Sequence, residues 1–160
     1  MFTLQQIDNL HARLGKAKTL AQYVRALHAI GVEHYDSYLT DGHSEYFGKD
    51  GYKIVCPPVH DLLVIAEVSQ RDSFLRHLRR HELGETGYMD MSRGLAESGI
   101  EKWSVDAVGM TMTFYDRAGN AMLVTGSSDW VRYRNLFLRE AQAMALLLVL
   151  HVWEKTCSRV

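Results

Sequence analysis

The sequence predicts an α+β fold in which a helix-helix-β-hairpin unit occurs twice. The hairpins join in one mainly antiparallel sheet covered by helices, and a long C-terminal helix is added. Three observations predict it. The stretch Gly31 to Gly51 aligns without a gap on Gly99 to Gly119, at a constant offset of 68 residues. Helical apolar spacing precedes each stretch, with Ile7 and Leu10 falling on Leu75 and Leu78 at the same offset. A paired turn signal closes each stretch, Asp50-Gly51 in one and Gly119-Asn120 in the other. In the aligned stretch Gly31/Gly99, Glu33/Glu101 and Gly51/Gly119 are identical. Val32/Ile100, His34/Lys102, Tyr35/Trp103, Tyr46/Phe114, Phe47/Tyr115 and Lys49/Arg117 keep their chemistry.

The elements follow in order. Leu4, Ile7, Leu10 and Leu14 recur at helical spacing, and Gly15 supplies a stop. Thr19 with Gln22 fits a capping box, opening a helix whose buried stripe is Leu20, Tyr23, Val24, Leu27 and Ile30. Gly31 ends it. A strand region runs from about Glu33 to Phe47, long enough to be two strands around a tight bend, and pairs with Tyr52 to Cys56. Pro57-Pro58 interrupts the sheet. Leu62 to Val68 then reads as a further strand, apolar enough to be covered on both faces. In the second unit Ser69 with Asp72 starts a helix with Phe74, Leu75 and Leu78 inside, ended by Gly84. Thr86 caps the next, with Tyr88, Met91 and Leu95 inside, ended by Gly99. Strands from about Lys102 to Tyr115 and Ala121 to Thr125 complete it.

The chain reads as a single domain over 1-160. The first repeat spans about 2-68, the second about 69-128 and the C-terminal helix about 130-156. Trp130, Tyr133, Phe137, Ala141, Met144, Leu148 and His151 lie along one helical stripe. Ala143 to Leu150 is apolar nearly all round, so that helix must be buried in the core or against a second copy. It is well short of a membrane span. A homodimer through this helix is the expected assembly.

At 160 residues, 47% apolar and 23% charged, the composition is that of a soluble globular protein. Eighteen basic and nineteen acidic residues leave a formal charge of -1, which gives no field for nucleic acid or anionic lipid. The basic run Arg76 to His81 reads as a solvated helix face. Two cysteines, Cys56 and Cys157, argue against a disulfide scaffold and a cysteine zinc site. No signal peptide is visible, so the cytoplasm is the expected compartment.

One contrast between the repeats points to a site. Val108, Met110, Met112 and Phe114 alternate as on a half-buried strand, whereas their counterparts are Thr40, Gly42, Ser44 and Tyr46. Within the polar copy, Asp41, His43 and Glu45 share a strand face at i, i+2 spacing. A carboxylate on either side of an imidazole suits a general base or a metal ligand. His60-Asp61 stand ready to join from a neighbouring strand. The plainer reading is the solvated face of a hairpin. The ligand-binding set is Tyr38, Asp41, His43 and Tyr46; the catalytic set is His43, Asp41 and Glu45. His77 and His81 share a helix face, but two arginines between them oppose a cation, so no metal and no cofactor are expected. Neither a Gly-x-Ser-x-Gly elbow nor a phosphate loop occurs, and Cys56 reads as a buried structural thiol. The crowded aromatics, Tyr35, Tyr38, Tyr46, Phe47 and Tyr52 with Trp103, Phe114 and Tyr115, stand near Lys49 and Arg117 and read as core and cross-strand packing.

The runs YLTDGHSEYFGKDGY and GIEKWSVDAVGMTMTFYDRAGN carry a resemblance. Gly31-Val32, His34-Tyr35, Asp41-Gly42-His43, Tyr46-Phe47-Gly48, Gly51-Tyr52, Glu101-Lys102-Trp103, Tyr115-Asp116 and Ala118-Gly119-Asn120 are its main elements. The chain resembles the YbcV/YdfO-like domain family, small enterobacterial and prophage-encoded proteins labelled "phage envelope protein". The resemblance covers roughly Phe2 to Val124 and implies a small α+β fold without a defined activity. The function expected is an accessory module, non-enzymatic, that binds a small ligand or a protein partner. The alternatives are a small hydrolase or isomerase using His43 as base, and a phage structural protein.

Overall fold

Residues 33 to 47 do not form one strand. They bend at Leu39 to His43, and residues 102 to 115 bend at the equivalent Ala107 to Met110. Each unit therefore holds a three-stranded meander where a two-stranded hairpin is the minimal reading. The computed structural model describes residues 1-14, 19-82 and 85-128. Its first half comprises helices α1 (Leu4–Leu14) and α2 (Leu20–Ala29) and strands β1 (Val32–Tyr38), β2 (Ser44–Gly48) and β3 (Lys53–Cys56). Its second half comprises α3 (Arg71–Glu82), α4 (Tyr88–Glu97), β4 (Ile100–Asp106), β5 (Thr111–Asp116) and β6 (Ala121–Gly126). The strands form one antiparallel sheet in the order β3-β2-β1-β4-β5-β6. The fold is α+β. The stops predicted at Gly15 and Gly84, and the C-terminal helix from 130, lie outside the described residues.

The two halves meet at β1 and β4 in a register with its own symmetry. Asp36 pairs with Ser104, the residue 68 positions on, so each half meets its own counterpart at the centre of the sheet. The ladder is prolonged reciprocally: the Leu39 amide donates to the Glu101 carbonyl and the Ala107 amide to the Glu33 carbonyl, both at 2.8 Å. Register shifts at equivalent places in the β1-β2 and β4-β5 pairs, one residue past Val32 and Ile100. A bulge there lets Val32 and Tyr35, three apart, both face inward, as Ile100 and Trp103 do. Gly31 and Gly99, at φ +101° and +81°, reverse the chain between helix and strand.

Inward side chains and helices form one core. Ile7, Tyr23, Val24 and Leu27 from the first half join Phe74, Leu78, Met91 and Leu95 from the second around Tyr35, Tyr46, Trp103, Met112 and Phe114. Burying each of these aliphatic or aromatic side chains contributes roughly 2 kcal/mol. Cys56 is buried.

Several local expectations are corrected. The capping box sits at the start of α1: Gln6 Oε1 accepts the Thr3 amide at 2.8 Å, and Thr3 Oγ1 accepts the Gln6 amide at 3.2 Å. Thr19 makes no side-chain cap on α2; its hydroxyl turns back to the Leu14 carbonyl at 2.6 Å. Ser69 donates to Asp116 rather than capping α3. The residue that caps α4 is Gly87, not Thr86.

Leu62 to Val68 is not a strand. Its backbone contacts are scattered: the Leu63 amide reaches the Thr40 carbonyl and the Ala66 amide the Ala96 carbonyl. Only one side is covered, for Ile65 is 7% exposed while Leu62, Val64 and Val68 are 76%, 87% and 73% exposed. Docking against one loop carbonyl and one carbonyl at the end of α4 supplies no continuous ladder, which a covered strand needs.

Candidate functional site

The predicted polar-versus-apolar contrast lies on the inner face only at Ser44 and Tyr46 against Met112 and Phe114, and marks core chemistry. Val108 is not on that stripe, being 63% exposed in the turn between β4 and β5. Ser44 and Tyr46 are 3% and 2% exposed, like Met112 and Phe114 in the other half. Ser44 pairs across the strands with Ser37, and their hydroxyls bond at 2.8 Å. The matching pair in the second half is Val105 and Met112. Tyr46 stacks on Tyr35 and its hydroxyl lies 3.4 Å from that of Tyr23. Burial pushes the Tyr46 and Tyr35 phenols well above their ordinary pKa. Tyr46 is therefore removed from the ligand-binding set: the pleat that turns Glu45 outward turns Tyr46 inward.

The other predicted residues come together at the β1-β2 bend and on the outer face beside it. Asp41 sits in the turn rather than on a strand. One carboxylate oxygen, Oδ1, accepts the His43 amide at 3.0 Å, an Asx turn, and also meets the His43 ring at Nδ1. Burial pushes the Asp41 carboxyl up. The ring and backbone bonds from His43 outweigh it, with help from His43 and His60 charge, and hold the carboxyl below its usual value. The His43 ring stacks on Tyr38, centroids 4.4 Å apart and planes 7° apart. Tyr38 in turn donates its hydroxyl to Glu45 at 3.4 Å. Asp41, His43, Tyr38 and Glu45 form one contiguous chain.

The backbone behind this chain is held by a close approach. Gly42 has φ +77° and faces the crossover from β3 to α3, residues 57-70. A Cβ there would overlap Val59 Cγ2 and lie 2.9 Å from His60 Cδ2. The Asp41 carbonyl accepts the amides of Val59 and His60 at 2.9 and 3.2 Å. His60 thus joins the site through its backbone. Its own Nδ1 is engaged with the Asp61 carbonyl at 2.7 Å, and Asp61 itself is exposed.

A family model described as "Protein of unknown function (DUF1398)" matches residues 8-125. The chain belongs to this family. The matched span of this DUF1398 protein holds both halves of the sheet and the whole Tyr38-Asp41-His43-Glu45 chain. Its description assigns neither an activity nor a phage role. No curated protein matches the chain.

Sequence reasoning missed the charges that complete the outer face of this DUF1398 protein. Asp36 and Glu45 are directly opposed on β1 and β2, an arrangement that repels. Each is answered by a lysine on its far side. Lys102 donates to Asp36 at 2.5 Å and Lys53 to Glu45 at 2.6 Å. Lys102 also lies over the Tyr38 ring at 5.3 Å and Lys53 over the Phe47 ring at 5.3 Å. Phe47 stacks on His34 with centroids 4.3 Å apart. Burial lowers the Lys102 pKa, but the Asp36 bond and charge reverse the balance and raise it. For Tyr38, burial raises the phenol pKa, Lys102 draws it back, and Asp36 and Glu45 add to the rise. The sequence marked Lys102 by its alignment with His34 and within Glu101-Lys102-Trp103, neither of which points to Asp36.

The remaining predicted groups are accounted for. His81 Nδ1 bonds the Thr86 carbonyl at 2.8 Å, and His77 packs against Gly94 of α4, so the pair is used in joining α3 to α4. Arg76, Arg79 and Arg80 are exposed, as a solvated face requires. Of the crowded aromatics, Tyr35, Tyr46, Trp103 and Phe114 are core, while Tyr38, Phe47 and Tyr115 stand half-buried on the outer face. Among the described residues, no helix is long and apolar enough to cross a membrane.

Proposed function

We propose that this DUF1398 protein is a binding module without catalytic activity, whose small ligand rests on Tyr38, Asp41, His43 and Glu45. The supporting observation is the fixed imidazole. Asp41 holds Nδ1 and Tyr38 holds the ring plane, so the imidazole, its side chain 24% exposed, stands in one orientation. Preorganisation of this kind lowers the ordering cost of binding. Ser44, the hydroxyl next along the chain, is turned to Ser37 on the opposite face and offers His43 no nucleophile. A thermal-shift screen of small polar metabolites on wild type and His43→Ala tests the reading. Hits that stabilise wild type and lose that effect in the variant support it. Equal stabilisation of both proteins overturns it.

The same Asp41-His43 pair favours a second reading, a small hydrolase or isomerase with His43 as general base. In that case His43→Ala leaves a ligand bound and stops turnover.

This reading takes the chain as an internal duplication. The supports are the shared element order, the shared β1-β2 and β4-β5 registers with their bulges, and the pairing of Asp36 with Ser104. The proposed homodimer rests on residues 130-156, outside the described residues. Deleting 136-160 and measuring the assembly by light scattering tests it, a soluble monomer being the expected outcome.

A further inference from the structure

The sheet has two edges, and only one is guarded. β3 carries Lys53 and runs into Pro57-Pro58, a charge and two rings that oppose further pairing. β6, at the other edge, runs Ala121 to Gly126 with neither charge nor proline, and Val124 on it is exposed. Arg71 of α3 donates to the Met122 carbonyl, and among the described residues no strand lies beyond β6. Sheets cover such an edge with a helix or a loop.

A second uncovered surface lies past one end of this edge. Leu62, Val64 and Val68 stand exposed on the crossover, while Ile65 between them faces the core. Large apolar side chains gathered on one short exposed segment mark an interaction surface. The crossover ends beside the β5-β6 turn, where Ser69 donates to Asp116 at 3.0 Å. β6 therefore starts next to the exposed row. Its last residue, Gly126, pairs with Thr111 at the far end of β5.

The chain that follows matches both surfaces in length and in pattern. The helix that the sequence predicts over 130-156 is roughly 40 Å long, whereas the six residues of β6 span roughly 20 Å. Turned back after residue 128, such a helix runs its first half along β6 and brings its second half to the crossover. The first half is amphipathic: Trp130, Tyr133, Phe137 and Ala141 form one stripe, with Arg132, Asn135, Arg139 and Gln142 opposite. One covered side suits a sheet edge. The second half, Ala143 to Leu150, is apolar nearly all round and needs partners on more than one side.

We propose that the C-terminal segment folds back on its own chain, passing along β6 so that Ala143 to Leu150 cover Leu62, Val64 and Val68. The other side of 143-150 is then the contact with the second copy. The inference deepens the homodimer proposed above and rests on the same reading of 130-156 as a helix.

The chain supplies its own probe. Cys157 lies shortly after the apolar stretch and Cys56 is buried, so a thiol-reactive nitroxide labels the full chain at Cys157. 15N-1H correlation spectra, with the reduced label as reference, show which amides it broadens. The expected result is loss of signal at Leu62, Val64 and Val68, with Asp50 at the β2-β3 turn unaffected. Val64→Lys, a change at an exposed position, abolishes that loss in a chain whose spectrum is still that of the folded protein. In a mixture of 15N-labelled chain and spin-labelled chain without 15N, the row keeps its intensity. Absence of broadening at the row, broadening only in the mixture, or undiminished broadening in a folded Val64→Lys overturns the proposal. Light scattering on the same samples separates the two readings. A dimer without broadening sinks the docking and leaves the homodimer standing; a monomer with broadening does the reverse.

Discussion

At equivalent positions of the outer face, Asp36 corresponds to Ser104, Tyr38 to Asp106, His43 to Thr111, Glu45 to Thr113 and Lys53 to Ala121. The first half carries an ion-and-ring network there, and the second carries small neutral groups with one aspartate. Backbone register is the same in both β1-β2 and β4-β5 pairs. The inner faces differ too, Ser37-Ser44 against Val105-Met112, but both pairs are buried. The comparison separates two kinds of divergence. Inside, polarity is absorbed by a partner hydroxyl and serves packing. Outside, it leaves an oriented imidazole and bound ammonium groups facing solvent, where binding chemistry belongs.

The bends sharpen the contrast. Gly42 and Met110 are counterparts, and both have positive φ, +77° and +54°. Met110 tolerates this with its side chain partly buried against the core. Gly42 does not, because the crossover lies on it. Gly42→Ala therefore costs about 3 kcal/mol, from left-handed strain and overlap together. Met110→Gly changes stability by less than about 1 kcal/mol. Urea unfolding of the two variants checks this, and equal losses would break the distinction between the bends.

The next effect is electrostatic. Lys102→Met leaves the opposed Asp36 and Glu45 carboxylates short of one counter-charge. The expected loss is about 2 kcal/mol, since the Asp36 side chain is 9% exposed. Adding Asp36→Asn to that variant restores most of it, as a double-mutant cycle by urea unfolding shows.

A third contrast lies in the first helix of each half. His11 is buried where its counterpart Arg79 is exposed. Burial lowers the His11 pKa from 6.5 to about 4. The unfolded chain then takes up this proton below pH 6.5, and the folded chain only below about 4. Stability is full above 6.5 and falls as pH drops between those values. The loss is about 1 to 2 kcal/mol by pH 5. His11→Leu flattens that slope in urea midpoints measured at pH 7 and pH 5.

The smallest effect belongs to the buried hydroxyls. Ser44→Ala orphans Ser37 and costs about 1 kcal/mol, whereas Ser37→Ala with Ser44→Ala costs less than the two single losses summed. Thermal midpoints of the three variants decide it.

The 68-residue offset was readable because equal spacing of glycines and apolar residues reflects equal backbone demands. The element order follows from it, as do the reversals at Gly31 and Gly99. The chain Asp41-His43-Glu45 was readable from i, i+2 spacing, although Asp41 reaches His43 through a turn. What failed depended on distant partners. Tyr46 is a core residue because Tyr35 and Tyr23 receive it, and the Leu62 to Val68 segment lacks a strand to pair with. Thr19 and Thr3 are both followed three residues later by a glutamine; the Thr3 hydroxyl caps its helix, whereas the Thr19 hydroxyl is taken by the Leu14 carbonyl. Lys102 acts on Asp36 from the other half of the chain, a contact that no local pattern encodes.

The measurement that tests the outer-face account most directly is a 15N-1H correlation map of the full chain against a library of small polar metabolites. The account predicts that ligands answering the thermal-shift screen move Tyr38, Asp41, His43 and Glu45, and leave Asp106 to Thr113 in place. Shifts centred on the second hairpin, or spread evenly over both, would contradict it.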